Sequence, residues 1–436
     1  KKKKKTQPML MKLFYWYLYV RALLGCAWAF LCGLWSKAPL AESKSLDAPF
    51  FTKLLREKGV IDDECRVVTA SIVPLDNNRG FAGAMNKIQL DLFQNGEKTV
   101  DDDNLYTSSL TLVLKRSMTG VQGRTNILFG EGFRNALFYN STLGKKVQQA
   151  NLIELPLYAN GSFSRGEFVL VMQDLNRLPD AVPFNKVMGN QIFGSGCADK
   201  ALRRRHMEKL FRDIAKMHAQ FWCDESLMQH TWLKGVQQRA GTLHGKLTYV
   251  GALQFVRRYW QQGLVRAANT PDFRLDPRLK KLIDTTLGNA SWANAHKYFQ
   301  TARFSLTHGD FHASNMFVFG KNGDFRLVDW TEVGLMEPAV DVAQCVISDL
   351  HHSDFEKAVP PLIDIYHRAL LDNGVPDYSL KECRADFHRL AIEKWLYFVP
   401  LLLGWDAIPM QLNQYFHDQL LNYVELFGDF NGNYNM

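Results

Sequence analysis

The sequence predicts an α+β fold in which a small antiparallel sheet precedes a larger, mainly helical part. Strand-like runs gather before residue 175, where residues 66–74, 85–93, 110–115 and 166–175 are continuously apolar or alternate. Beyond them helical periodicity dominates, as in residues 202–222, where Leu210, Ile214, Met217 and Phe221 fall on one stripe. A single hairpin interrupts the helices. Residues 316–319 and 325–328 flank Gly320-Lys-Asn-Gly-Asp324, and Asn322-Gly323 is the strongest short-range hairpin signal.

With 436 residues the chain is long enough for two lobes and an appendage. Hydrophobic content of 47% and charged content of 22% are those of a globular protein and exclude a disordered one. The formal charge is +8, but Lys1 to Lys5 supply five of it, so the remainder carries no nucleic-acid signature. Seven cysteines, odd in number and without CxxC spacing, form neither a disulfide framework nor a zinc site. The expected organisation is an N-terminal segment over 1–45, a first lobe over 46–174 and a second over 175–436.

Leu13 and Trp35 bound an apolar, aromatic stretch long enough to cross a bilayer. Length and hydrophobicity favour a membrane anchor, although Arg21 near its middle costs about 2.5 to 3.5 kcal/mol unless it snorkels. A cleaved signal peptide and a buried helix are the alternatives. Lys1 to Lys5, preceding Met9 and Met11, read as sequence upstream of a true start. The localisation expected is therefore membrane-associated through this segment and otherwise cytoplasmic.

In the first lobe, the strands over 66–74 and 85–93 flank a turn-rich loop containing Gly80 and Gly83. Backbone N–H groups there can cover a nucleotide's phosphates, and an ordinary hairpin fits equally. In residues 110–115 the alternation sets Leu110, Leu112 and Leu114 on one face and Thr111, Val113 and Lys115 on the other. A lysine at that point is where a kinase holds its α- and β-phosphates; the plain alternative is an exposed strand end. A helix over 129–142 follows, with Glu131 and Asn135 one turn apart, and either can face Lys115. The strand over 166–175 stops at Gln173-Asp174-Leu175, which suits an interlobe hinge that meets an adenine edge.

In the second lobe, His218 reads as a core or loop-bracing histidine, and residues 224–300 as helical walls for an acceptor. The richest stretch is His308-Gly-Asp-Phe-His-Ala-Ser-Asn315, followed by the hairpin and Val328-Asp-Trp330. A hairpin returns its chain to its origin, which brings Asn315 beside Asp329. An amide oxygen and a carboxylate are what Mg²⁺ needs from a protein when water and phosphate complete its octahedron. Asp310 upstream can accept the proton of an attacking hydroxyl. Each of these residues alone is more often a turn or cap residue. His308, Asp310, His312 and Asp329 also permit a transition-metal hydrolase site, which would need further ligands. Asp341, after Pro338, suits a helix N-cap. Trp395, Tyr397, Phe398 and Trp405 lie close in sequence and form either a cage for a cationic acceptor or a piece of core.

Taken together, Leu112-Val-Leu-Lys115, Phe138-Tyr139, Leu170-Val-Met-Gln-Asp-Leu175, Met217-His-Ala-Gln-Phe-Trp222, the His308 to Asn315 loop, Val328-Asp-Trp330 and Pro338-Ala-Val-Asp341 resemble the aminoglycoside phosphotransferase and choline kinase superfamily. Within it the pattern looks most like the CHK-type, ecdysteroid-kinase-like branch. The resemblance implies a bilobal protein-kinase-like fold that moves the γ-phosphate of ATP to a hydroxyl of a small molecule. It implies Asp310 as base, Asn315 and Asp329 as Mg²⁺ ligands, Lys115 as phosphate holder, and His308 and Asp341 as braces of the catalytic loop. One position departs from it: where relatives commonly carry Glu before the Phe-Tyr pair, this chain has Asn135. A kinase-fold module that binds nucleotide without turnover therefore stands as the second reading. The acceptor and the oligomeric state are not legible.

Overall fold

The computed structural model describes residues 3–35, 46–75, 84–94, 107–117, 120–162, 166–189, 199–320 and 322–432. It divides into two compact units, Lys1–Pro179 and Asp180–Met436.

In the first unit, helix α1 (Lys3–Trp35) and helix α2 (Ala48–Glu57) precede strands β1 (Cys65–Pro74), β2 (Ala84–Gln94) and β3 (Thr107–Arg116). Helices α3 (Gly120–Gly130), α4 (Arg134–Asn140) and α5 (Thr142–Gln149) and strands β4 (Tyr158–Ser162) and β5 (Glu167–Gln173) complete it. Among the described residues these strands form one antiparallel sheet in the order β1-β2-β3-β5-β4. Its core face carries Ile88, Leu90, Leu112, Leu114, Val169 and Val171, covered by Phe51, Leu54 and Leu55 of α2. Asp47 starts α2 by accepting from the Phe50 N–H at 2.9 Å. Lys115, opposite Met85 and Leu170 in the register, is 6% exposed, so the surface-lysine alternative does not hold.

Two expectations for this unit need correction. The helix expected over 129–142 is broken, because α3 ends at Gly130 and Glu131 adopts a left-handed backbone, φ 52°, before α4 begins. Glu131 and Asn135 therefore do not share a helical face. The apolar N-terminal stretch is helical, but Met11, Phe14, Leu18 and Ala22 are buried, and the Tyr15 ring lies 5.4 Å from that of Phe129 at the end of α3. Leu13, Trp16 and Leu24 on other sides of the helix are exposed. Among the described residues no helix is long and apolar enough to cross a membrane, so the anchor expected between Leu13 and Trp35 finds no support there. Side chains beyond Ala27 in α1 lie outside the described set. Gly80, Gly83 and the acidic stretch over 101–103 also lie outside it.

The second unit opens with strand β6 (Ala181–Pro183) and helices α6 (Phe184–Met188), α7 (Lys200–Gln220), α8 (Val236–Arg239), α9 (Leu243–Ala268), α10 (Pro277–Asn289) and α11 (Trp292–Thr301). Strands β7 (Ser305–Thr307), β8 (Met316–Phe319), β9 (Asp324–Leu327) and β10 (Gly334–Met336) follow. Helices α12 (Ala339–Asp349), α13 (Phe355–Asp372), α14 (Leu380–Gly404) and α15 (Met410–Phe427) close it. The expected β8–β9 hairpin forms, with Met316 opposite Leu327 and Phe319 opposite Asp324, and β6 joins it as a third strand. β7 pairs with β10. Every residue of α12 is buried, and the helix packs on α14 and α15. Asp199 caps α7 through the Ala201 and Leu202 N–H groups, and Ser379 with Glu382 makes a capping box for α14.

Candidate active site

After β7 the chain runs through His308 to Asn315 without a strand partner, so its backbone N–H groups need other acceptors. Helix α12 supplies them. Asp341 Oδ2 accepts from the His308 N–H at 2.7 Å and Oδ1 from the Gly309 N–H at 2.9 Å. Gln344 Oε1 accepts from the Phe311 N–H at 3.2 Å, and Asp349 Oδ2 from the Ala313 N–H at 2.9 Å. Three side chains of one buried helix thus strap the loop down. Asp341 is not the N-cap, which is Pro338; it sits inside the first turn. Its second partner is His218, whose Nε2 lies 3.2 Å from Oδ2 while Nδ1 meets the Tyr366 hydroxyl at 2.8 Å. Burial works to raise the Asp341 carboxyl, but the His218 bond and the Lys394 ammonium overturn it and hold the group below its ordinary range.

Gly309 is required where it stands. Its φ is 81°, and a Cβ there would fall 2.1 Å from the Glu332 carbonyl oxygen. Gly309→Ala is expected to cost at least about 2 kcal/mol of stability, combining backbone strain and a clash with main chain. Urea unfolding of the purified variant measures it, and a change under half that size would contradict this account.

Asp310 is the centre of the loop. Gln344 Nε2 donates to its Oδ1 at 2.8 Å, and Asn315 Nδ2 to its Oδ2 at 3.1 Å. The side chain keeps 32% of its surface exposed, so a substrate hydroxyl can reach it. Desolvation in this crowded setting pushes the carboxyl upward. The imidazole of His312, 3.4 Å away, the charge of Lys394 and the hydrogen bond from the Gln344 amide prevail, and the group is held far below the usual carboxylate range. His312 shifts the other way: burial lowers it, but Asp310 raises it further. Asp310 is an ionised acceptor at neutral pH.

The hairpin brings the two expected Mg²⁺ ligands to its base. The Val328 N–H donates to the Asn315 carbonyl at 2.9 Å, and Asp329 follows directly. Asn315 Nδ2 also donates to the Asp310 carbonyl at 3.0 Å, and these two acceptors identify the nitrogen. Its Oδ1 therefore turns away from Asp310. Asp329 adopts φ 62°, a strained conformation for an aspartate, and one carboxylate oxygen accepts from the Thr331 hydroxyl at 2.5 Å. An amide oxygen and a carboxylate at the base of one hairpin are hard oxygen donors, the chemistry Mg²⁺ takes.

They do not fit the hydrolase alternative. His308 spends both ring nitrogens internally, with Nε2 at 2.9 Å from the Val328 carbonyl and Nδ1 accepting from the Asp310 N–H at 3.3 Å, and burial pushes its imidazole toward the neutral form. Among the described residues no group of three His, Cys, Asp or Glu side chains can hold a metal ion. His308 braces the loop instead, tying it to the end of β9.

In the first unit, Glu131 forms an ion pair with Arg134. Gln173 ends β5 opposite Leu112, Asp174 accepts from the Asn176 N–H at 3.2 Å, and Leu175 is buried in the turn that follows.

Sequence reasoning missed Gln344, Asp349 and Lys394. The first two had a signal in hindsight, since they lie on the side of α12 that carries Asp341. Lys394 had none. It comes from α14, and its ammonium donates to the Gly309 carbonyl at 2.8 Å and to Gln344 Oε1. Burial pushes it down to about 8. The aromatic residues nearby do not make a cage. Trp395 is buried and stacked on Phe416 at 4.7 Å, Trp405 ends α14, and Lys394 itself sits 5.7 Å from the Phe398 centroid.

Residues 198–379 match the sequence profile of the phosphotransferase enzyme family. No curated protein sequence matches the chain significantly. Similar solved structures include an ethanolamine kinase of Plasmodium vivax, at 10% identity over 86% of this chain and 85% of that one, with a TM-score of 0.39. Choline kinase LicA of Streptococcus pneumoniae is 11% identical over 87% of this chain and 99% of that one, also at 0.39. Amicoumacin kinase hAmiN, solved with AMP-PNP, Ca²⁺ and Ami, is 10% identical over 87% and 96%, at 0.40. The stretch that matches the phosphotransferase enzyme family holds the His308 to Asn315 loop, the hairpin and α12.

Proposed function

We propose that the protein is an ATP- and Mg²⁺-dependent kinase of a small-molecule alcohol, of the CHK-type branch. The observation that carries this reading is Asp310: an ionised, reachable carboxylate fixed on both oxygens, on a loop whose backbone is strapped to a buried helix. The acceptor's hydroxyl oxygen bonds to the γ-phosphorus of ATP, and the bond from that phosphorus to the bridging oxygen breaks. ADP leaves with the electron pair, and Asp310 takes the hydroxyl proton and returns it to solvent. Asn315 and Asp329 hold Mg²⁺, which when bound draws phosphate oxygens together and neutralises their charge. His308 and Asp341 position the loop. Lys115 takes the α- and β-phosphates, and the Gln173 to Leu175 turn meets the adenine.

The expected result is a rise in melting temperature with ATP plus Mg²⁺ that exceeds the rise with ATP alone, and ADP release with at least one acceptor from a panel of alcohols. In Asp329→Ala the Mg²⁺-dependent part of the shift disappears. No Mg²⁺ dependence in the wild type would overturn the metal assignment.

One observation favours the second reading, a nucleotide-binding module with little turnover. Helix α4 carries Asn135 where the family resembled commonly has Glu. A nucleotide-induced shift with no ADP release across the whole panel would establish that reading.

A further inference from the structure

Helix α1 has two unlike sides. Met11, Phe14, Leu18 and Ala22 recur every three or four residues and are buried, on the side of the helix that packs on α3. At about 100° per residue, Met9, Leu13, Trp16, Leu23 and Leu24 gather on the opposite side. All five are exposed, Trp16 and Leu24 at 65% each. Between Met9 and Leu24 the charged residues are Lys12 and Arg21, and the same spacing sets one at each edge of this outer strip, outside it. Exposed Tyr17 and Tyr19 flank the strip as well, and the Arg21 guanidinium lies 5.5 Å from the Tyr17 centroid.

A contiguous apolar strip on the surface marks a place that something covers. The charge around it says what. Over residues 1–35 the charged residues are Lys1 to Lys5, Lys12 and Arg21, and none is acidic. A second copy of α1 laid on this face would set like charges against each other. An anionic bilayer surface answers both features: its acyl boundary takes the apolar strip, and its headgroups take Lys12 and Arg21, whose long stems let the charge reach outward. Tryptophan and tyrosine favour that same depth. The helix lies along the surface and does not cross it, because its inner stripe is already packed on protein. We propose that α1 is an in-plane docking helix that binds the first unit to an anionic lipid surface. This docking is independent of the kinase chemistry.

The test mixes the full chain with vesicles of phosphatidylcholine, or of phosphatidylcholine with phosphatidylserine, and reads the bound fraction by flotation. Wild type is expected to bind the mixed vesicles about tenfold or more tightly than phosphatidylcholine alone, and less tightly as salt screens the headgroups. The triple variant Leu13→Ser, Trp16→Ser, Leu24→Ser should weaken binding to the mixed vesicles by about tenfold or more, since it removes the apolar strip. The double variant Lys12→Gln, Arg21→Gln should keep the strip and shrink the preference for phosphatidylserine. Leu13, Trp16 and Leu24 are exposed, so the triple variant should melt at the wild-type temperature. Trp16→Ser alone replaces it if it folds poorly. No flotation of wild type, equal flotation with both kinds of vesicle, or flotation unchanged by the serine substitutions would each overturn the proposal. Self-association that the triple variant abolishes, in a chain that does not float, would overturn it too and assign the strip to a second copy.

Discussion

Asp310→Asn is expected to lower kcat by about 10² to 10⁴-fold, the range for loss of a positioned general base, with the nucleotide-dependent thermal shift retained. The geometry explains why these effects separate. Asn keeps the shape of the side chain but presents one acceptor oxygen in place of two, and it cannot take a proton. The donors Gln344 Nε2 and Asn315 Nδ2 both point at this position, so one of them will face an amide N–H₂. That mismatch costs roughly 1 to 3 kcal/mol of stability. A lowered melting temperature with an intact Mg²⁺-ATP shift and little ADP release is the expected signature. Turnover within threefold of wild type would remove Asp310 from the chemistry.

Asp341→Ala is expected to give the largest loss of stability, about 3 to 5 kcal/mol, because it removes the acceptor of two backbone N–H groups and of the His218 ring in a fully buried position. The loop is then free to detach from α12, so turnover falls with stability. A pH signature accompanies the loss. The Asp341 carboxyl is held below its ordinary range in the folded protein, so its contribution is present above the unfolded value near 3.9 and is lost as pH falls through the lower folded value. Urea unfolding of wild type and variant at several pH values should show a gap that is wide at pH 7 and narrows in acid. A gap constant across that range would mean that shape, not charge, is what Asp341 contributes.

Order along the chain was enough to anticipate the hairpin, because Asn322-Gly323 between two apolar runs is a purely local instruction, and closure of the hairpin places Asn315 next to Val328 whatever surrounds it. The alternation of β3 and the stripe of α7 were legible for the same reason, since period and burial follow from neighbouring residues alone. Local signals failed at Glu131, where a left-handed residue breaks a helix that propensity would carry through, and they did not reveal that the apolar N-terminal helix packs part of its surface on α3.

What only the tertiary structure decided is the environment of Asp310. Gln344 and Asp349 reach the loop because α12 is buried beside it, and Lys394 arrives from α14, far along the chain. Desolvation, opposing charge and hydrogen bonding act through space over a few ångströms. A motif can therefore announce which carboxylate is present, while its ionisation depends on residues brought there by packing.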